Sequence, residues 1–266
     1  MAYSEVFGNA RQKFLIERGA ALWSLLKDHP RFAYYGTTVS LSDPQQDAAE
    51  MLISLARLQG QGMCFYFPKS RLAELQGQLE AAGMRTASSL FHRGGQEAYD
   101  ASKKLLAERS LPSGLELVRL EANSSAELVE ATVDLCQQVG LSTMPGEVMR
   151  GQILPGVCYV ALNAEGQPVA TASSYAMHAP KTPRDSEAFW GVLATHTDFR
   201  GLGLAGVLGA RAIEYMWEKK GMRGFNTGIK SDNLASRAAC AKLGVSDTDW
   251  ATLFCFDDTV LSGAGE

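Results

Sequence analysis

Residues 198–216, DFRGLGLAGVLGARAIEYM, place Gly201, Gly203, Gly206 and Gly209 within nine positions and then run on as an alanine-rich helix former. Each glycine lowers helix propensity by about 1 kcal/mol relative to alanine, so a helix that opens this way needs a reason. Close approach supplies one. Without Cβ atoms the backbone can lie against a partner, and the first turn of a helix offers N–H groups with no intrahelical acceptor and a partial positive charge. Such an end suits an anion, provided a strand leads in and a helix leads out. EAFWGVLAT, residues 187–195, reads as that strand, and residues 204–220 read as that helix.

Two other readings compete. Gly201-Leu-Gly203-Leu-Ala-Gly206 matches the dinucleotide fingerprint GxGxxG. That fingerprint normally opens its domain and is followed by several βα repeats. This loop begins at residue 201 of 266, and Asp232, the acid nearest the expected distance, falls in a loop. Alternatively, Gly206 and Gly209 allow a helix to pack closely on a sheet, which leaves residues 200–203 unexplained.

The hydrophobic pattern divides the chain in two. The first part reads as a helix over 5–28, a strand over 32–41, and a helix over 43–59 with Asp43 as N-cap and Pro44 in its first turn. A strand over 63–67, a helix over 70–83, a strand over 85–93 and a helix over 94–109 follow. RSLPSGLE, 109–116, reads as a linker. The pattern then restarts with a strand over 115–122 and a helix capped by Ser124, with Glu127 at capping-box spacing. After a short helix near 146–154 comes a hairpin turning at Glu165-Gly166. Strand 187–195, the glycine loop and its helix, strand 223–229, helix 233–243 and strand 250–256 complete the order. The expected fold is α/β, a mixed sheet flanked by helices. It forms two units, 1–110 and 113–266. The last four elements of 32–93 echo those of 204–256 in order and approximate length, so the first unit reads as a degenerate copy of the same half-fold.

Composition narrows the function. The net charge of −4 offers no basic field for nucleic acid. No run approaches the ~18 apolar residues of a membrane span. The five cysteines, Cys64, Cys136, Cys158, Cys240 and Cys255, form no CxxC, and the four histidines have no ligand spacing, so neither a disulfide framework nor a metal is expected. The opening residues MAYSEVFGNARQKFLIERG hold no signal-like apolar run, so a cytoplasmic location is expected.

Arg200-Gly201-Leu202-Gly203-Leu204-Ala205 resembles the R/Q-x-x-G-x-G/A signature of the GCN5-related N-acetyltransferases, the GNAT family. NLASRAACAKLGV, 233–245, is similar to the family's N-x-x-A-x-x-x-Y-x-K-x-G-F helix through Asn233, Ser236, Lys242 and Gly244. Cys240 stands where many members carry tyrosine, and Val245 where they carry phenylalanine. The resemblance covers the second half, where it implies a mixed, mainly antiparallel sheet flanked by helices, and hardly touches the first.

The resemblance implies that the N–H groups of Gly201, Leu202, Gly203, Leu204, Ala205 and Gly206, with Arg200, bind the pyrophosphate of acetyl-CoA. The backbone of Leu193, Ala194 and Thr195 would pair with the pantetheine amides, in a gap where strands 187–195 and 223–229 splay apart. Asn233 and Ser236 would support the pantetheine arm, although Asn233 is equally a good helix N-cap. A backbone N–H near Leu193 would serve as oxyanion donor. Glu187, thirteen residues before Arg200, is the best candidate for the general base, although in PRDSEAF it equally reads as a solvated carboxylate at a strand start. Strand alternation puts it on one face with Phe189, Gly191, Leu193 and Thr195. Cys240 is read two ways, as the acid that protonates the leaving thiolate or as a packed apolar thiol. His178 and His196 are minor candidates.

The implied activity is transfer of an acetyl group from acetyl-CoA to the amine of a small molecule or peptide, without metal, nucleic acid or membrane. A homodimer is compatible with it. A non-catalytic acyl-CoA-binding module is the alternative, favoured by the missing tyrosine.

Overall fold

A computed structural model describes residues 3–263. The first half runs α1 (Ala10–Leu26), β1 (Phe32–Tyr34), β2 (Val39–Leu41), α2 (Ala48–Gln59), β3 (Gln61–Pro68), α3 (Leu72–Ala81), β4 (Arg85–Gly94) and α4 (Gln96–Glu108). The second runs β5 (Glu116–Arg119), α5 (Ala126–Gln138), α6 (Gly146–Met149), β6 (Gly156–Leu162), β7 (Pro168–Ala176), β8 (Glu187–Thr195), α7 (Leu204–Lys220), β9 (Gly224–Ile229), α8 (Leu234–Lys242), β10 (Ser246–Phe256) and α9 (Asp258–Ser262).

All ten strands form one sheet, ordered β1-β2-β3-β10-β4-β9-β8-β7-β6-β5. The two units expected at 1–110 and 113–266 therefore share a sheet and exchange strands across it. β10, from the second half, lies between β3 and β4, while β4, from the first, lies between β10 and β9. From the β4/β10 seam outward, both directions read alike. An antiparallel neighbour comes first (β9 or β3), then a parallel one (β8 or β2), then an antiparallel one (β7 or β1). The connectivity β2-α2-β3-α3-β4 repeats as β8-α7-β9-α8-β10. The first half thus repeats the connectivity of the second.

The sheet curls. The Tyr34 N–H donates to Met177 O at 2.7 Å, and Ala33 bridges His178, so β1 meets the segment that follows β7. On one face α2 and α3 cover β3 and β10 through Leu52, Leu79, Cys64 and Leu253, while α7 covers β8 and β9 through Ile213, Trp190 and Phe225. The opposite face gathers Met63, Phe65, Tyr66, Phe91 and Met177 inside the curl, and α5 closes its far end against Val160 and Val192.

Local chemistry moved several expected boundaries. Residues 32–41 form two short strands, paired Phe32↔Leu41 through Tyr34↔Val39, instead of one. The helix expected from Asp43 starts at Ala48, because Arg31 grips the Asp47 carboxylate at 2.6 and 2.9 Å and the Asp43 carbonyl at 3.2 Å, holding 43–47 as a loop. The α5 cap is Ser125, which accepts from the Leu128 N–H; Ser124 instead accepts from the Glu121 N–H. α1 begins at Asn9, whose side chain caps the Gln12 N–H.

Candidate acyl-CoA cleft

The parallel pairing of β8 with β9 stops at Phe189↔Asn226, while β8 runs on to Thr195 and β9 to Ile229. The two strands part there, and the gap opens on a cleft of about 690 Å³. Gly191, Val192 and Leu193 form one lip, Thr227, Gly228 and Ile229 the other, and Asn233, Ser236 and Cys240 sit at the α8 end. Of the backbone trio assigned to pantetheine, Leu193 lines this cleft; Ala194 and Thr195 pair with Thr171 and Ala170 of β7.

A bulge shapes the lip. β8 pairs Gly191↔Ser173 and Ala194↔Thr171, so Val192 and Leu193 together face one residue of β7. Val192 takes φ +53°, a left-handed conformation rare for a β-branched residue. The extra residue inverts the alternation expected for the strand. Trp190 faces α7, where its Nε1 donates to Gly209 O at 3.0 Å. Leu193 also packs towards Gly209, and Val192 joins the α5 side. The single face proposed for Glu187, Phe189, Gly191, Leu193 and Thr195 therefore ends at Gly191.

The glycine loop separates into two roles. Gly201 and Gly203 take φ +81° and +79°, and Gly203 occupies the N-cap of α7. The N–H groups of residues 201–205 meet no acceptor among the described residues, whereas Gly206 and Val207 donate to Gly203 O. These outward N–H groups at a helix start fit a pyrophosphate. Gly209 serves packing instead, because a Cβ there would lie 2.8 Å from the Trp190 ring. Arg200 is exposed and donates weakly to Thr195 O. Arg109, which sequence reasoning missed, brings Nη1 within 3.3 Å of where a Cβ on Gly203 would stand, so a cation from the end of α4 borders the loop.

Asn233 caps α8 through its Oδ1, which accepts from the Ser236 N–H at 3.0 Å; both residues also line the cleft. Cys240 is buried against α8's own core, and desolvation pushes its thiol up to about 12.

Glu187 lies outside the cleft wall, at the centre of a buried network joining the two halves. Its Oε2 accepts from Tyr66 Oη at 3.0 Å and from Arg93 Nε at 3.2 Å; its Oε1 accepts from Arg93 Nη2 and Arg184 Nη1, each at 3.3 Å. Asn226 Nδ2 donates to the Tyr66 oxygen at 3.2 Å, and His178 Nε2 stands at the same distance. With Tyr66 Oη donating to Glu187, the His178 contact requires the neutral Nε2–H tautomer. Burial agrees, pushing His178 down to about 4 and Tyr66 well above the ordinary phenol range. The Arg184 guanidinium lies 3.5 Å from the Tyr66 ring centroid. Tyr66 and Arg93 had no sequence signal: Tyr66 owes its direction to a bulge where β3 pairs Phe67↔Ala251 and Cys64↔Leu253, with φ +58°. His196 caps a turn before the loop, accepting from the Asp198 N–H.

The corresponding gap between β2 and β3 is filled. These strands share only the Leu41↔Cys64 pair. The buried Gln59 amide bridges them, accepting from the Val39 N–H at 2.9 Å and donating to Val39 O and Gln61 O at 2.7 and 2.8 Å. It occupies the backbone groups that a bound chain would need.

Among the described residues no three His, Cys, Asp or Glu side chains are grouped to hold a metal ion, and no helix is long and apolar enough to cross a membrane. The profile of the Acetyltransferase (GNAT) family matches residues 127–245. No curated protein matches the chain. Among solved structures, the chain is similar to a GCN5-related N-acetyltransferase from Kribbella flavida, with 15% identity, 91% of this chain and 95% of that one covered, and TM-score 0.55. It is also similar to a tandem GNAT protein from the clavulanic acid biosynthesis pathway (17%, 82% and 68%, TM-score 0.54). A GCN5-related N-acetyltransferase-like protein from Streptococcus suis is a third (17%, 85% and 82%, TM-score 0.52). At these identities the likeness is one of fold, and it extends over both halves of the sheet. With the split strands, the bulge and the outward N–H groups, these matches place the C-terminal half of the chain in the GNAT acetyltransferase family.

Proposed function

We propose that this chain is an acyl-CoA-dependent N-acyltransferase that moves an acetyl group to an amine. The observation that carries the reading is the parting of β8 from β9, which opens on the cleft, on the strand that leads into a helix start whose N–H groups meet no acceptor among the described residues. Bound there, acetyl-CoA supplies an activated acyl group as a thioester. Residues 201–205 would hold its phosphates, with Arg109 and Arg200 adding positive charge. Leu193 and the N–H groups at the β8 bulge would align the acyl end, and Asn233 and Ser236 would border the arm. The first half supplies the facing wall through Tyr35, Ser88 and Ser89, so both halves build the acceptor end. Cys240 sits in the cluster with Leu243 and Val245, and burial pushes its thiol up to about 12, above the ordinary thiol value of ~8.5 that a departing CoA thiol resembles, which supports packing over proton donation.

Calorimetry with CoA, followed by thiol release from acetyl-CoA across a panel of amines, tests the reading. Tight CoA binding with acceptor-dependent thiol release supports it. CoA binding without turnover on any acceptor would favour an acyl-CoA-binding module instead. That second reading rests on Cys240 in place of a tyrosine and on a Glu187 carboxylate already held by four hydrogen bonds.

A further inference from the structure

The acceptor end of the cleft is dominated by rings and neutral hydroxyls. Tyr35 and Phe189 stack with centroids 5.1 Å apart and planes 21° apart. Phe254 and Phe256 lie nearly parallel, with centroids 6.3 Å apart and planes 8° apart. All four are only partly buried; Arg85 lies 4.3 Å from the Phe256 centroid and Tyr35 and Phe189 cover one face of each other, and the ring surface that remains borders the cleft. Thr38 lines the same cleft, is 1% exposed, and its Oγ1 has no hydrogen-bond partner among the described residues. A buried hydroxyl without a partner costs roughly 1–3 kcal/mol, and a polar group on a ligand relieves that cost.

The charges in the wall have the wrong sign for a polycation. Its ionised side chains are Arg85 and Lys230; no carboxylate and no imidazole lines it among the described residues. Arg85 is itself paired with Asp258 at 2.8 and 2.9 Å. A second ammonium brought into this cleft would be desolvated without a counter-charge, which is strongly unfavourable. The wall also offers no group to take a proton from an alkylammonium. An amine that is already neutral at pH 7 needs no such group.

Resting on the acyltransferase reading above, we infer that the acceptor is a weakly basic amine on an aromatic or similarly flat apolar body, with a hydrogen-bonding substituent and no second positive charge. The nitrogen lone pair forms the C–N bond to the thioester carbonyl carbon, the C–S bond breaks, and the proton shed by nitrogen ends on the departing sulfur. The products are an amide and a free thiol, with no other reactant required. The body of the amine would lie against the remaining ring surface of these pairs, and Thr38 Oγ1 would take its substituent.

The test uses the full chain, acetyl-CoA, and four acceptors: 4-aminophenol, phenethylamine, spermidine and a lysine-rich peptide. Transfer to 4-aminophenol should exceed transfer to spermidine by about 10²-fold in kcat/KM. A preference for spermidine or the peptide overturns the inference. Ser89→Asp places a carboxylate in the wall and should raise spermidine turnover at least about tenfold relative to 4-aminophenol; an unchanged ratio in the folded variant counts against the inference. Thr38→Val, close in shape, gives a second measure if Ser89→Asp does not fold. It should weaken 4-aminophenol but leave 4-methylaniline unchanged, and equal effects on both refute the role of Thr38. If no amine is acylated, the acyltransferase reading fails, and binding then decides the inference separately. A thermal upshift of the CoA-saturated protein by 4-aminophenol and none by spermidine supports the pocket chemistry, and any other pattern overturns it.

Discussion

Tyr66 in the bulge of β3 donates a hydrogen bond of 3.0 Å to Glu187 at the start of β8, across 121 residues of sequence. The contact ties the first half of the sheet to the strand that carries the acyl-CoA lip. Replacing Tyr66 by Phe leaves one lone pair of Glu187, the His178 N–H and an Asn226 N–H without their partner. Tyr66→Phe should lower stability by about 1–3 kcal/mol in urea denaturation, with CoA affinity unchanged.

The same geometry sets an expectation for Glu187. A general base contributes roughly 10²–10⁴-fold and must reach the acceptor, whereas this carboxylate is enclosed by Tyr66, Arg93 and Arg184. Glu187→Gln should therefore destabilise the fold and alter turnover equally at every pH. A pH–rate series settles the matter. A large loss at pH 7 that shrinks as the amine deprotonates unaided would restore the base role.

The glycine loop gives a graded prediction. Gly206 is inside α7, and a Cβ there would lie 3.6 Å from Leu105, in ordinary contact. Gly206→Asp should leave the melting temperature nearly unchanged yet lower CoA affinity at least about tenfold in calorimetry, because it adds a negative charge to the first turn of the helix whose start would hold the phosphates. Gly203→Asp should weaken CoA as well, but with a stability loss of about 1 kcal/mol, since its φ of +79° suits glycine. Undiminished CoA binding in both would remove the cradle.

Arg109→Gln separates charge from fold. Its guanidinium is exposed and beside Gly203, so the loss should be modest, about fivefold in CoA affinity and smaller at high salt. Pantetheine, which lacks the pyrophosphate, should bind the variant and the parent equally.

His178 supplies a pH signature. Its folded value of about 4 lies below the ordinary imidazole value near 6.5, because burial disfavours the cation. The unfolded chain then binds the proton more readily, so this contribution to stability is present above pH ~6.5 and is lost as pH falls towards ~4. The loss amounts to at most about 3 kcal/mol. Urea midpoints of the parent should fall across that window more steeply than those of His178→Gln, whose side chain can still donate to Tyr66. Parallel curves would mean that His178 is not the titrating group.

Helices and strands with regular periodicity were legible in the sequence. The 204–220 helix appears at those limits, and the order of elements anticipated the repeat of β8-α7-β9-α8-β10 in the first half. Motifs carried by local backbone chemistry were also legible: Gly201 and Gly203 are left-handed, and Asn233 caps α8. Long-range pairing was not legible. Nothing in WATLFCF says that it enters the sheet of the other half, because strand pairing is set by which edges meet and not by composition. Bulges were equally hidden. One extra residue at Val192 turned Leu193 to the other face, and another at Tyr66 aimed a phenol at Glu187.

The interleaving of β4 and β10 also fixes an order of events during synthesis. β3 and β4 become neighbours only through β10, and residues 246–256 are translated after everything they separate. At ribosomal rates, roughly 8–30 s pass between the end of β4 and the arrival of β10. Throughout that interval the first half carries open strand edges, which invite pairing with other chains. Completion of the first half's sheet is therefore bound to completion of the second half, unlike in a chain built from two self-contained units.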